Sequence, residues 1–344
     1  NGKEWSNVQN NYGTFRQQII DNKNPLGAKL KLATLFTQEA RVTGEHGHYY
    51  PAALQLLNEI SENKIEYKDL TFRVLSLKSN VLLSQHEFKT ALENALEAVK
   101  INPYNAQIYG ILMDAYLELG DYEKAVESAD KMVSIRPDLR SYSRVSYLRE
   151  IYGMETEAIE AMKMAVEAGF PGYEETAWAR LQLGQLFQKS RQLEKAKSQY
   201  LQILNERPNY PFALAALAEI EVENQNYLEA EKLLKEACEV IPEVGFYEQL
   251  AHLYFKTEEE EKAQKLIPEI LAMLQDDIDH GHNMNMEFSA VYRDLVKDYD
   301  KALEYALKEY EIRPENRDVK KLVGSIYLKK GEQKLAKRFE LKPI

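Results

Sequence analysis

Alanine recurs along most of this chain at the interval expected of a repeated pair of helices. Its positions are Ala53, Ala91, Ala125, Ala158, Ala196, Ala230, Ala263, Ala302 and Ala336, which lie 33 to 39 residues apart. Proline shows a similar period, because Pro103, Pro137 and Pro171 are 34 residues apart, as are Pro208 and Pro242. A chain of 344 residues could also form about two or three ordinary domains. The period favours one long array of similar helical units.

The clearest unit runs from Ala106 to Pro137. Its first helix has one apolar face, formed at helical spacing by Tyr109, Leu112, Met113 and Tyr116. Gly120 can take the positive φ of a helix end, and Asp121 can cap the helix that follows. Pro137 closes the unit because proline cannot continue a helix. We therefore expect each unit to be a pair of antiparallel helices.

Small side chains are predicted to lie where two helices cross. They include the recurring alanines and also Gly184, Ala218 and Ala251. A larger side chain would push apart helices whose axes normally lie about 8–10 Å from each other. Neither helix of a pair can bury its apolar face alone, so stacked pairs are expected to form one continuous core.

This pattern resembles the tetratricopeptide repeat over roughly residues 30–341. The family motif is L-G-x-x-Y/F, then A-x-x-x-Y/F, then P, and it is met by Leu183, Gly184, Phe187, Ala196, Tyr200 and Pro208. The resemblance implies an all-α, right-handed superhelical solenoid of antiparallel helix pairs. The nine alanines predict about nine repeats. We place a polar N-terminal capping segment at residues 1–28 and the solenoid at residues 29–344. The first helices are expected to begin near Leu30, Phe72, Ala106, Leu139, Ala177, Pro211, Val244, Asn283 and Arg317.

Three units depart from the pattern, and one of them, the fourth, ends in a wider corner from Gly169 to Gly172. The first has a long segment between its helices, predicted from Val42 to Pro51. The seventh has Pro268 inside its second helix, which predicts a kink or a break near Gln264.

Composition limits the possible partners. Lysine and arginine total 44 against 55 acidic residues, a net charge of −11. Neutralising phosphates requires a basic face, so we expect no nucleic-acid partner. No stretch approaches the ~18 continuous apolar residues of a membrane helix, and we expect no transmembrane segment in this chain.

Residues that could carry chemistry are few. Cys238 is the one cysteine, which excludes an internal disulfide and any multi-cysteine metal site. We expect it to be a small core residue. The sequence contains no glycine-rich phosphate loop, no H-E-x-x-H and no G-x-S-x-G. It therefore predicts a protein that is not an enzyme, with no catalytic residue, no cofactor and no assigned metal ligand.

Two His-Gly-His motifs, at His46 to His48 and at His280 to His282, are predicted to lie in connecting segments. Such a pair can chelate a metal when a third ligand arrives, and Asp276, Asp277 and Asp279 are close to the second motif. The alternative function is thus a metal-dependent enzyme or metal-binding protein, which requires the two corners to converge in space. The competing interpretation is a glycine turn flanked by polar histidines.

In the family that the repeat resembles, the first helix of each pair lines a concave groove. Carried over position by position, the resemblance implies a partner-binding groove that includes Asn80, Asp114, Arg140, Ser143, Tyr147, Trp178, Gln185 and Phe212. Aromatic anchors mixed with hydrogen-bond donors are typical of an interaction hot spot. The alternative is that some of these residues belong to the core. The family's carboxylate clamp is not expected, because Ser76 and Ile111 stand where it needs lysine and asparagine.

The leading hypothesis is a non-catalytic scaffold that binds a protein or peptide in this groove. The blocks at residues 141–150 and 176–184 are similar to bacterial tetratricopeptide proteins with no assigned activity. That resemblance implies a location in the bacterial cell envelope, periplasmic or held by a lipid anchor upstream of Asn1. A cytoplasmic location is the alternative.

Overall fold

The computed structural model describes residues 2–63 and 67–341, and the regular secondary structure in these ranges is helical. The chain divides into two compact units. Unit 1 comprises Asn1–Ala125 and Gln275–Met284, and unit 2 comprises Val126–Leu274 and Asn285–Ile344. Asn1 and Ile344, the outer ends of the two predicted segments, lie outside the described residues. The division into segments 1–28 and 29–344 stays a prediction.

Unit 1 is a stack in which each helix packs against the next. Its helices are α1 (Gly2–Ile20), α2 (Pro25–Thr43), α3 (His46–Glu62), α4 (Lys68–Ser84), α5 (Phe88–Ile101) and α6 (Ala106–Leu119). Helix α7 (Tyr122–Ile135) runs from unit 1 into unit 2.

Unit 2 continues the same arrangement of helix pairs. Its helices are α8 (Leu139–Ile151), α9 (Glu155–Glu167), α10 (Glu174–Lys189), α11 (Leu193–Glu206), α12 (Pro211–Glu223), α13 (Tyr227–Val240), α14 (Val244–Lys256), α15 (Glu260–Asp279), α16 (Asn285–Val291), α17 (Tyr299–Ile312), α18 (Arg317–Lys329) and α19 (Gln333–Ala336). The last five residues of α15 belong to unit 1. A π-helix (Tyr292–Val296) follows α16, and a 3-10 turn (Lys337–Phe339) follows α19.

The first helices of the predicted pairs are the even-numbered helices from α2 to α18. Five of them begin at the residue that the sequence predicts, namely Ala106, Leu139, Pro211, Val244 and Arg317. The all-α fold class and the count of nine first helices are therefore confirmed for the residues that the structure describes.

The recurring alanines are buried as predicted. Eight of the nine have no exposed surface, and Ala336 is 6% exposed. Gly184 shows why the side chain must be small, since a Cβ atom there would lie 2.2 Å from the Tyr200 ring. Tyr200 is itself fully buried, so it cannot move aside without disturbing the core of unit 2.

Helix ends follow the predicted capping chemistry. Gly120 has φ of 84° at the end of α6, and the Asp121 carboxylate accepts a hydrogen bond from the Lys124 amide (3.3 Å). Helix α8 begins with a reciprocal cap. The Asp138 carboxylate accepts from the Ser141 amide (3.1 Å), and the Ser141 hydroxyl oxygen accepts from the Asp138 amide (2.8 Å).

The predicted long segment and the predicted break near Gln264 are wrong, and the alternative of a kink at Pro268 stays a prediction. The expected long segment from Val42 to Pro51 is a two-residue link, because α2 continues to Thr43 and α3 begins at His46. Pro51 lies inside α3, where it removes one hydrogen bond of the helix without ending it. Pro268 does not break α15, which is continuous from Glu260 to Asp279. A helix of 20 residues retains its other hydrogen bonds when one amide is missing.

The Gly184→Ala substitution is expected to lower the free energy of unfolding by about 1–3 kcal/mol, because the added methyl group overlaps the buried Tyr200 ring. Urea unfolding followed by circular dichroism measures this. The control is Gly245→Ala in the same unit, where a Cβ atom meets nothing within 4 Å. Equal stability of the two variants would contradict the close packing at Gly184.

Candidate functional site

Aromatic side chains on neighbouring first helices of unit 2 touch one another. The ring centroids of Trp178 (α10) and Phe212 (α12) lie 5.6 Å apart, edge to face, and those of Phe212 and Phe246 (α14) lie 5.4 Å apart. We call these three residues the aromatic row. Phe246 is buried, Phe212 is half-buried and the Trp178 side chain is 39% exposed. The row therefore begins in the core and ends at the surface.

The other predicted groove residues of unit 2 lie on α8 and α10. Tyr147 is 41% exposed, and Gln185 is half-buried. Arg140 pairs with the Glu175 carboxylate, and the Ser143 hydroxyl donates to the Arg140 carbonyl (3.2 Å). The Arg140 charge is thus already balanced by a residue of the same unit.

Asn80 on α4 and Asp114 on α6 are half-buried residues of unit 1. The predicted set is therefore divided between the two units. Contact within it is seen for Trp178 with Phe212 and for Arg140 with Ser143. That any of these eight residues binds a partner stays a prediction.

Two carboxylates that the sequence analysis did not single out come together in unit 2. Glu248 lies on α14 and Glu287 on α16, and each is half-buried. We call them the acidic pair. Neither forms an ion pair with another of the described residues, and Glu287 Oε2 is buried without a hydrogen-bond partner among them. The pair can therefore accept a cationic group.

Burial is the main cause that raises the pKa of Glu248 to about 7, and the nearby charges of Glu287, Asp294 and Glu243 raise it further. Asp294 differs because the Arg293 guanidinium binds it through two nitrogens. These contacts hold the pKa of Asp294 below its usual range although burial opposes them. Asp294 is thus neutralised within the protein, whereas the acidic pair is not.

The positional rule that predicted the groove could have found the acidic pair. Counted from Val244, the fifth residue of α14 is Glu248 and the ninth is His252. Counted from Asn283, the fifth residue of the next unit is Glu287. The signal for both members of the acidic pair was therefore present in the sequence.

The two His-Gly-His motifs converge within unit 1. The His46 and His282 rings are stacked with centroids 6.0 Å apart, and Gly47 lies against the His280 side chain. The predicted location is correct for His280 to His282, which follow α15, and wrong for His46 to His48, which form the first turn of α3. No group of three potential metal ligands is arranged around a common point within residues 2–63 and 67–341. Metal binding stays a prediction.

Cys238 is half-buried on α13, as expected of a small core residue. Burial raises the pKa of the thiol to about 11, and the Glu269 and Glu239 carboxylates raise it further. A thiol at neutral pH is a weak nucleophile, so the site does not favour reaction at this sulfur.

Comparison with protein families identifies the repeat. Residues 181–243, from α10 to α13, match the model of the tetratricopeptide repeat. The helix pairs from α10 to α13 are thus similar to those of the tetratricopeptide-repeat family. Residues 52–133 also match the model of the ChAPs, described as Chs5p-Arf1p-binding proteins.

One curated relative is the small glutamine-rich tetratricopeptide repeat-containing protein 2 of Saccharomyces cerevisiae. It is 30% identical over 108 residues, which is 31% of this chain and 30% of the relative. The chain thus spans less than a third of that protein's length. The predicted bacterial origin and envelope location stay predictions.

Two solved structures share the fold over most of the chain. The Cut9–Hcn1 heterotetramer of APC/C has a TM-score of 0.53 and 16% identity, covering 91% of this chain and 58% of that one. The human IFIT1 dimer with m7Gppp-AAAA has a TM-score of 0.52 and 12% identity, covering 96% and 93%. At this identity they show the fold alone. Among the described helices, none is long and apolar enough to span a bilayer.

The Glu248→Gln substitution is expected to stabilise the protein by about 1–3 kcal/mol at pH 8 and by less at pH 5. The pKa of Glu248 is above its usual value of 4.5 in the folded state, so its contribution to stability is full below 4.5 and is lost as pH rises through 7. Glutamine removes that loss because it does not ionise.

Thermal unfolding at the two pH values tests this, with exposed Glu236→Gln on α13 as control. A gain at pH 5 equal to the gain at pH 8 would rule out the raised pKa of Glu248.

Proposed function

We propose that this protein is a non-catalytic scaffold and that the first-helix face of unit 2 binds a basic segment of a partner protein. The observation that carries the proposal is the exposed end of the aromatic row at Trp178. The row offers a site for an apolar side chain of the partner. The acidic pair offers a site for its lysine or arginine.

The aromatic row supports a binding role because its geometry is already set. Phe212 is held between Trp178 and Phe246, so the Trp178 ring has an edge-to-face partner before anything binds. A rigid aromatic side chain loses little conformational entropy on binding, and tryptophan is enriched among residues that dominate binding energy. The exposed fraction of Trp178 is the surface that a partner would cover.

The charges of the same unit support a basic partner. The cations Arg140, Lys189 and Arg191 are paired with Glu175, Glu150 and Glu223. The acidic pair has no such counter-ion among the described residues. A partner's lysine or arginine would supply the missing charge, and complementarity of this kind sets association rate and selectivity.

Similarity to the tetratricopeptide-repeat family supports the coarser part of the proposal. Scaffolds built from tetratricopeptide repeats generally mediate interactions between proteins. The Cut9 structure is itself a heterotetramer with Hcn1. The charge and the apolar character proposed for the partner are inferred from the residues of unit 2 of this chain.

Selection of a displayed peptide library on the full chain tests the function. We expect enrichment of peptides that combine lysine or arginine with an aromatic or large aliphatic residue. Trp178→Ala should lower the affinity for the enriched peptides by ~30-fold or more, as measured by fluorescence anisotropy, which is the loss typical of an interface hot spot. The Glu248→Gln, Glu287→Gln double variant should also lower the affinity and should reduce the salt dependence of binding.

The matched control is Phe170→Ala, because Phe170 is a 73% exposed aromatic residue in the corner between α9 and α10 of the same unit. The affinity of the Phe170→Ala variant for the enriched peptides should equal that of the unaltered chain. Peptides that bind Trp178→Ala at full strength would refute this binding face. Enriched peptides without basic residues would refute the role of the acidic pair.

A further inference from the structure

Four histidines gather around the end of α15 in unit 1. They are His46 at the start of α3, His86 between α4 and α5, and His280 and His282 after α15. We call them the histidine cluster. The His282 ring is stacked on His46 at 6.0 Å and lies 5.7 Å from the Tyr50 ring. Residues separated by more than 230 positions thus share one buried site.

The backbone after α15 is attached to the α4–α5 corner through this cluster. The Asn283 amide donates to the Gln85 carbonyl (3.0 Å), and Gln85 Nε2 donates to the His280 carbonyl (3.3 Å). His86 Nδ1 donates to the Asn283 carbonyl (2.9 Å). The Gly47 backbone completes the contact, since a Cβ atom there would lie 2.8 Å from the His280 ring. These contacts hold residues Gln275–Met284 within unit 1.

His282 is the member of the cluster that is least able to carry a proton. Its residue is 7% exposed, and its Nε2 atom is buried without a hydrogen-bond partner among the described residues. Burial lowers the pKa of His282 to about 4, and the charges of His46, His86 and His280 lower it further. Burial and His86 also lower the pKa of His46.

The groups around His282 supply little negative charge that could balance a proton on its ring. From α3 it meets His46 and the Tyr50 ring, and burial raises the pKa of Tyr50, which therefore stays neutral in acid. Arg41 acts on Tyr50 from α2 and adds another positive charge nearby. The carboxylate of Asp276 on α15 lies 3.5 Å from His280, and the Asp277 carbonyl accepts from the His282 amide (3.0 Å). The charges that act on His282 are those of other histidines, and they disfavour a proton on it.

We propose that the histidine cluster is an acid-sensitive latch that holds residues Gln275–Met284 on α3 and the α4–α5 corner at neutral pH and releases them on acidification. Protonation of His282 places a charge between His46 and Tyr50, where neither ring can neutralise it. The site relieves that charge by opening, because an open segment exposes the imidazolium to water. The latch does not depend on the partner-binding role proposed for unit 2.

The sign of the effect follows from the direction of the shift. The pKa of His282 is lower in the closed site than its ordinary value of 6.5. The stability that neutral His282 contributes is therefore complete above pH 6.5 and is lost as pH falls towards 4. Between pH 7.5 and pH 5 this single group raises the opening equilibrium constant by ~30-fold.

Hydrogen–deuterium exchange of the full chain at pH 7.5 and pH 5 tests the latch, after correction for the chemical exchange rate at each pH. Amides in residues 275–284 should show the ~30-fold rise in opening. His282→Gln removes the group with the largest shift, so its opening constant should change with pH much less than that of the unaltered chain. His48→Gln should keep the full pH dependence, because His48 is exposed and lies outside the cluster.

Two results would overturn the latch. One is equal opening of residues 275–284 at both pH values in the unaltered chain. The other is full pH dependence retained in His282→Gln. If that variant fails to fold, NMR titration of the six histidines in the unaltered chain decides the matter. At least one imidazole should titrate below pH 5, and titration of all six near 6.5 would refute the proposal.

Discussion

Close approach of helices at small side chains is the contact on which the whole structure depends. Gly184 has no room for even one methyl group against Tyr200, and the recurring alanines are buried at every repeat. Each alanine loses little side-chain entropy on burial, and it lets larger residues on both helices interdigitate. The apolar faces of the helices are thereby buried where one pair packs on the next.

That packing decides which residues remain available for binding. In unit 2 most large apolar side chains of the first helices are buried, and Trp178 is one of those that stay partly exposed. The same stacking brings Glu287 close enough to raise the pKa of Glu248, although the two residues belong to successive repeats. A repeat period thus turns residues about 39 positions apart in sequence into neighbours on one face, and binding specificity can arise from ordinary surface positions.

The histidine cluster has a different origin. It joins the end of α15 to α3 and the α4–α5 corner, which lie far from α15 in the repeat order. Its hydrogen bonds join residues 195 and 197 positions apart. A contact outside the periodic packing can open without disturbing the alanine crossings, which makes it suited to a conditional role.

The sequence by itself determined the helical class, the number of repeats and most first-helix starts, because these depend on local spacing, capping residues and a strict period. Gly120 and Asp121 act within a few residues of their own position, so local chemistry was enough to place the turn between α6 and α7. The sequence also placed Trp178 and Phe212 on one face, since equivalent positions of successive repeats point to the same side of the array.

Only the tertiary structure decided which of these residues meet and how deeply they are buried. The repeat period does not say how exposed a side chain is or which charges meet. It could therefore not show that Arg140 has a counter-ion while the acidic pair has none among the described residues. It misplaced the first His-Gly-His motif, because a helix start and a loop use the same glycine and polar residues. The convergence of the two motifs arises from long-range packing that leaves no local pattern in the sequence.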